Sequence, residues 1–243
     1  MKLIQLNMWG GRLEGQLAEF FGKQQPDIAC LQEATSLPGN GAIFLPVELL
    51  QESWRLPTSL VHSPVFSFKF MTRQAAFGNA VITTLQVIEG KTIFTNLEHH
   101  PDFDFTLYDY NIRNLQHVTL EAEGKKINIL NHHGHHIKEH KNGDDQTLRQ
   151  MKQIAGYIKE LEGPVILSGD FNLAPESESL KQINDTLENL SIKFALKTTR
   201  NQLTHKSEVC DYIFVNDQVK VKNFTALEDL VSDHKALLLE FSI

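Results

Sequence analysis

Asn7 in LNMW, Glu33 in LQEA, Asn131 and His133 in ILNHHG, Asp170 and Asn172 in SGDFN, Asp211 in CDYIFV, and Asp233 with His234 in VSDH share one feature. Each is an acid, amide or imidazole standing at the end of an apolar run. In SGDFN an acid and an amide two residues apart point the same way in extended chain. A carboxylate able to hold or deprotonate water then stands beside an amide able to donate to an oxyanion, a pairing that suits hydrolysis. The same letters also describe an Asx-rich turn closing a strand. In VSDH the carboxylate can bind a metal or orient the imidazole near a reacting phosphate, or it can be a capping acid before a surface histidine. Glu33 closes an apolar run, where an acid must be solvated, paired or bound to metal, because an unpaired buried charge is costly.

The stretch from Ile127 to His140 holds His132, His133, His135, His136 and His140. Imidazole is a good transition-metal ligand, but no cysteine set accompanies this group. Strand alternation turns His132 and His133 to opposite faces. His136 and His140 read as loop residues leading into the next helix. His135, after Gly134, leaves a register question: His132, His133 or His135 is the one that faces a substrate.

The elements that must position these side chains alternate strand and helix. KLIQLNMW reads as a buried strand, RLEGQLAEFFGKQQ as a helix ended by Pro26, and DIACLQE as a second strand finishing on Glu33. NAVITT, VIEGKTIFTN and NLQHVTLEAEGKKINILNHH are strands, the last a hairpin about its Gly-centred turn. Asp144 or Asp145 caps a helix with Leu148, Met151, Ile154, Ile158 and Leu161 on one face, stopped by Gly163 and Pro164. PVILSGDFN is a strand, ESESLKQINDTLENL offers one further helix, and three strands, CDYIFV, VKVKNFTAL and KALLLEFSI, close the chain. In α/β sheets sites gather at strand ends, so these scattered residues can converge.

At 243 residues and 41% hydrophobic composition, with no linker, repeat or long charged run, residues 1–243 read as one domain. Cys30 and Cys210 sit in apolar runs and suggest no disulfide. There is no signal-peptide pattern and no long apolar span, so a cytoplasmic protein without membrane insertion is expected. A net charge of −7 argues against coating nucleic acid through a basic surface, yet it suits a carboxylate-built metal site.

In order and spacing, LNMW, LQEA, ILNHHG, SGDFN, CDYIFV and VSDH resemble the endonuclease/exonuclease/phosphatase superfamily of metal-dependent phosphoesterases, related to DNase I, over essentially the whole chain. The resemblance implies a four-layer α/β sandwich, two face-to-face mixed β-sheets flanked by helices. It implies Mg²⁺, or Mn²⁺, held by Glu33 with Asn7 and Asp233. It also implies catalytic roles for His133, Asp170, Asn172, Asp211 and His234: Asp170 on the attacking water, Asn172 and His234 on the phosphorane oxygens, Asp211 holding a histidine. The departure HHGHH is where the family often has an apolar residue after its histidine. Arg113, where the family frequently starts a strand with arginine, is a candidate substrate contact or equally a structural ion pair, and His135 is a candidate substrate contact. The aromatic and acidic loop EHHPDFDFTLYDYNIRN reads as a base-stacking or apolar pocket wall, or as an edge hairpin. The expected activity is hydrolysis of a phosphodiester in nucleic acid by a monomer, the alternatives being a small phosphorylated molecule or lipid headgroup and, last, an inactive binding module.

Overall fold

The computed structural model describes residues 1–37, 45–106 and 111–243. Strand β1 (Lys2–Asn7) shows how alternation builds the layers. Ile4 and Leu6 face helix α1 (Glu14–Gln24), packing on its Leu17, Phe20 and Phe21. Leu3, Gln5 and Asn7 face the opposite way, into the space between two sheets. Helix α1 ends as Gln25 takes a left-handed conformation, one residue before Pro26.

The first sheet contains β1, β2 (Ile28–Ser36), β3 (Ser59–Phe70), β4 (Arg73–Thr83), β11 (Lys220–Ala226) and β12 (Leu237–Ser242), in the order β11-β12-β1-β2-β4-β3. The second contains β5 (Gln86–Asn96), β6 (Arg113–Ala122), β7 (Lys125–His133), β8 (Val165–Asp170), β9 (Glu188–Asn189) and β10 (Asp211–Val215), in the order β5-β6-β7-β8-β10-β9. Helices α1 and α2 (Val47–Gln51) cover the first sheet, while α3 (Asp145–Lys159) and α4 (Glu178–Asn184) cover the second. The result is the four-layer α/β sandwich with two mixed sheets. Between the sheets lies an apolar core that includes Leu3, Ile28, Cys30, Val118, Ile129, Ile166 and Ile213.

Helix α3 starts at a capping box, with the Asp144 side chain accepting from the Thr147 N–H. Two expectations need correction. Strand β2 does not finish on Glu33 but runs to Ser36. Its pairing with β4 shifts register between Leu31 and Ala34, and Glu33 adopts a left-handed φ of 54° there. The stretch after Pro175 is not one helix either: α4 stops at Asn184, and Leu187 and Leu190 belong to a turn, the short β9 and the four-residue α5 (Leu190–Lys193). In the loop after β5, Phe103 and Phe105 pack against Phe66 of β3, which supports a structural role for those rings, whereas Tyr108, Asp109 and Tyr110 lie outside the described residues. The described part of that loop is turns with one bridge, Phe66 to His100, rather than a hairpin.

Candidate active site

Strand register sets the geometry. β7 and β8 run parallel with His133 beside Asp170, and β10 runs antiparallel to β8 with Asp211 beside Asp170. His133, Asp170 and Asp211 thus form a row across three neighbouring strands of the second sheet. Two glycines make the row possible. A Cβ on Gly169 would lie 1.9 Å from the His132 carbonyl, and one on Gly134 would lie 2.2 Å from the Phe171 carbonyl, so both positions require bare backbone. Across the gap the first sheet presents Asn7 and, from its bulge, Glu33.

The two sheets meet through side-chain amides. Asn7 Nδ2 donates to Glu33 Oε1 and to Asp170 Oδ2, both at 3.1 Å. Gln5 donates to Asp211 Oδ1 at 3.2 Å and to Gln32 at 2.7 Å, and Gln32 donates to Asn131 at 2.6 Å. Asn131 in turn donates to the Leu31 and Ala80 carbonyls and to Gln116. This buried ladder forms the floor beneath the cleft, and no motif in the sequence marks Gln5, Gln32 or Gln116. With all its amides paired except at Gln5 Oε1, the ladder holds a single arrangement.

Asp170 accepts from the Asn172 backbone N–H at 3.0 Å, and Asn172 itself sits at a left-handed φ of 54°. Lys141 Nζ donates to Asn172 Oδ1 at 2.8 Å and so fixes which way that amide points. His234 turns Nδ1 to both carboxylate oxygens of Asp211, at 2.9 and 3.0 Å, and Nε2 towards Asp170 Oδ2 at 3.6 Å. His133 Nε2 is 3.8 Å from the same Asp170 oxygen. Asp233 reaches within 3.9 Å of His234 Nε2.

These contacts tune protonation. Burial alone would raise the Asp170 carboxyl, but His234, Arg200, His133 and Lys141 hold it far below the usual carboxylate range. Glu33 goes the other way: burial, with Asp170 and Asp233 nearby, raises it against the pull of Asn7 and His234. Burial pushes His133 well down, helped by Arg113, so its imidazole is neutral. For His234, burial is outweighed by Asp211 and Asp170, and its pKa rises.

The cleft has a volume of about 460 Å³, and Glu33, His133, Asp170, Asn172, Asp233 and His234 line it together with Trp9, Arg12, Phe77, Asn111, Arg113, His136, Arg200 and Lys206. Asn7 and Asp211 stand behind this wall. Arg113 begins β6 and borders the cleft, with its guanidinium donating to the Gly134 and Ile112 carbonyls and to Asn111. His132 turns away, its Nδ1 against the Asn114 carbonyl and its ring edge-on to Phe171. His135 is not in the cleft wall and directs Nε2 towards Asp144 at 4.0 Å, whereas His136 is. The cause lies in Asn111, which accepts from the His136 N–H and donates to its carbonyl, so the chain beyond Gly134 no longer follows strand alternation.

Asp170, Asp211 and His234 bring ligand atoms within 4.8 Å of one another and could hold a metal ion. Asp211 and His234 already satisfy each other, however, and Asp170 accepts from the Asn7 amide and the Asn172 N–H. Glu33 accepts from one amide, Asn7 Nδ2, and has the carboxylates of Asp170 and Asp233 near it along with the His234 imidazole. That environment fits a hard divalent cation.

A four-layer sandwich with a cleft of acids and imidazoles at its strand ends has the groups that hydrolysis needs. The Endonuclease/Exonuclease/phosphatase family model matches residues 4–234, and the chain belongs to that family, whose members are phosphoesterase hydrolases. No curated protein sequence matches it. Among solved structures, a family protein from Leptotrichia buccalis C-1013-b is similar at 19% identity, with a TM-score of 0.72 and all of both chains covered. The mannosyl-6-phosphatase of Bacteroides thetaiotaomicron VPI-5482 is similar at 16% identity, with a TM-score of 0.74 and again all of both chains covered. TDP2 from D. rerio, complexed with a single-strand DNA product, is similar at 15% identity, with a TM-score of 0.68, covering 100% of this chain and 99% of that one. No helix among the described residues is long and apolar enough to cross a membrane.

Proposed function

We propose that this chain is a Mg²⁺- or Mn²⁺-dependent phosphodiesterase acting on nucleic acid. The observation that carries the hydrolytic reading is the row His133, Asp170, Asp211, closed by His234 and facing Glu33 across the cleft. Glu33 and Asp233 would hold the cation, with Asn7 fixing the Glu33 carboxylate. When bound, the cation supplies charge neutralisation and polarises the phosphoryl group.

Asp170 is ionised and anchored by the Asn172 N–H and the Asn7 amide, so it orients the attacking water and takes its proton as the bond to phosphorus forms. His234, oriented through Nδ1 by Asp211, turns Nε2 to a non-bridging phosphate oxygen. Neutral His133 contacts the phosphate on the other side of Asp170. Asn172, with its Oδ1 held by Lys141 and one amide hydrogen on the Gly134 carbonyl, presents the other amide hydrogen to the developing phosphorane. The reaction is a direct displacement by water without a phospho-enzyme.

Nucleic acid as substrate is supported by the likeness to TDP2 bound to a single-strand DNA product and by Trp9 at the cleft, with the Arg12 guanidinium 4.6 Å above its ring, a surface on which a base can stack. A second reading, a small phosphorylated molecule, is supported by the net charge of −7, which provides no basic track for a polymer, and by the likeness to a mannosyl-6-phosphatase. One preparation tested with Mg²⁺ or Mn²⁺ on single-stranded DNA, duplex DNA, RNA, sugar phosphates and phosphoinositides separates them. Cleavage of a nucleic acid that stops on chelation is the expected result. Turnover of one small phosphate without nuclease activity overturns the substrate proposed here.

A further inference from the structure

Arg200 closes no apolar run and lies outside the family motifs. It lies in the connection between α5 and β10, and that connection is bolted to the strand-entry segment of His234. Arg200 and His234 form an antiparallel bridge, the Lys235 N–H donates to the Thr199 carbonyl at 2.8 Å, and Asn201 Nδ2 donates to the Ser232 carbonyl at 2.7 Å. The backbone at Arg200 is therefore fixed relative to the reacting groups. Its side chain is buried, with 3% exposure, yet it borders the cleft.

Burying a guanidinium is costly unless its donors are met. Arg113 meets that cost through acceptors that include the Gly134 and Ile112 carbonyls and the Asn111 amide oxygen. Arg200 does not. Its Nη1 contacts His234 Nε2, its nearest carboxylate oxygen is Asp233 Oδ2 at 3.7 Å, beyond hydrogen-bond distance, and its Nε has no partner. A permanently charged fork with unspent donors stands beside the imidazole assigned to a phosphate oxygen.

Resting on the phosphoesterase reading above, we propose that Arg200 is a further catalytic residue, whose guanidinium binds a non-bridging oxygen of the scissile phosphate together with His234 and stabilises the charge those oxygens gain in the transition state. No bond to Arg200 forms or breaks. The contact between Nη1 and Nε2 opens to admit the phosphate oxygen, which then accepts from the guanidinium.

The test uses the full chain with Mg²⁺, bis-p-nitrophenyl phosphate for turnover, and inorganic phosphate as a binding probe followed by calorimetry. Arg200→Ala is expected to lower kcat by about 100-fold, with the melting temperature close to that of the wild type and partial rescue by added guanidinium ion. Phosphate affinity falls at least about tenfold in the same variant. Arg200→Lys, which keeps charge but not the fork, serves if the alanine variant does not fold, and it is expected to recover only part of kcat. Wild-type kcat and phosphate affinity in Arg200→Ala overturn the proposal, as does a loss in both variants that follows a fall in melting temperature and resists guanidinium. A wild-type protein that binds phosphate through Arg200 but hydrolyses nothing keeps the phosphate contact and overturns the catalytic role together with the hydrolytic reading, whereas hydrolysis that is indifferent to Arg200 overturns this proposal alone.

Discussion

The space between the two sheets has two ends made by the same strands. At one end Leu3, Ile28, Ile129, Ile166 and Ile213 close on one another as an ordinary core. Two or four residues further along those strands the inward positions become Gln5, Asn7, Gln32, Asn131, His133, Ser168 and Asp170, and β10, which runs the other way, begins there at Asp211. Side-chain alternation runs through to both ends, with the β2 bulge and the bare glycines Gly134 and Gly169 confined to the polar one. What differs is how the sheets are joined: dispersion and water exclusion at the apolar end, directed hydrogen bonds at the polar one. The apolar end sets the sheet separation, and the polar end uses it to bring side chains from opposite sheets within 3.1 Å.

If the comparison holds, substitutions at the polar end remove activity and leave the fold, while those at the apolar end do the reverse. The largest effect is expected from Asp170→Asn, a loss of about 10⁴ in kcat with an unchanged circular dichroism spectrum; near-normal turnover would remove Asp170 from the reaction. Asp211→Asn leaves His234 poorly oriented and is expected to cost about 10³ in kcat, whereas Glu33→Gln weakens Mg²⁺ or Mn²⁺ binding by calorimetry more than Asp211→Asn does. The reverse ranking of metal affinities would move the cation to Asp170, Asp211 and His234.

A pH experiment sharpens the contrast on the outer face of the same strand. Burial holds His132 down to about 4, against an ordinary value of 6.5, with its Nε2 unpartnered. Above pH 6.5 the ring is neutral in both folded and unfolded chains, so its contribution is constant. As pH falls from there towards 4, only the unfolded chain gains the proton, and about 3 kcal/mol of stability is lost. Urea unfolding at successive pH values should show that slope, flattened in His132→Leu. The smallest effect is expected at the apolar end, where Ile129→Val costs about 1 kcal/mol of stability and leaves kcat unchanged; a change in kcat would show that the two ends are not independent.

Much of this arrangement is legible in the sequence, because strands that carry their polar residue at the C-terminal end announce both the sheet and the site. β1, β7, β8 and α3 follow from apolar runs that end in a polar residue, helical spacing and a capping aspartate. Strand β3 does not: it is an edge strand interrupted by Pro64, with a register shift between Pro64 and Phe66, so no clean period marks it. Gln5 and Gln32 look like solvent-facing strand positions until a second sheet, far along the chain, covers them. Arg200 and Lys141 lie in irregular segments whose neighbours are set by long-range pairing, which no local spacing encodes. His136 enters the cleft because Asn111 holds its backbone, again a partner distant in sequence.

Trp9, Glu33 and Asn172 all carry a left-handed backbone without being glycine, with φ between 51° and 54°. Each such residue costs on the order of 1 kcal/mol. A laboratory selection for heat resistance alone would therefore favour glycine at these positions. Survivors would melt later and hydrolyse less, so the record of what the protein is for would be erased first at the places where its chain is least comfortable.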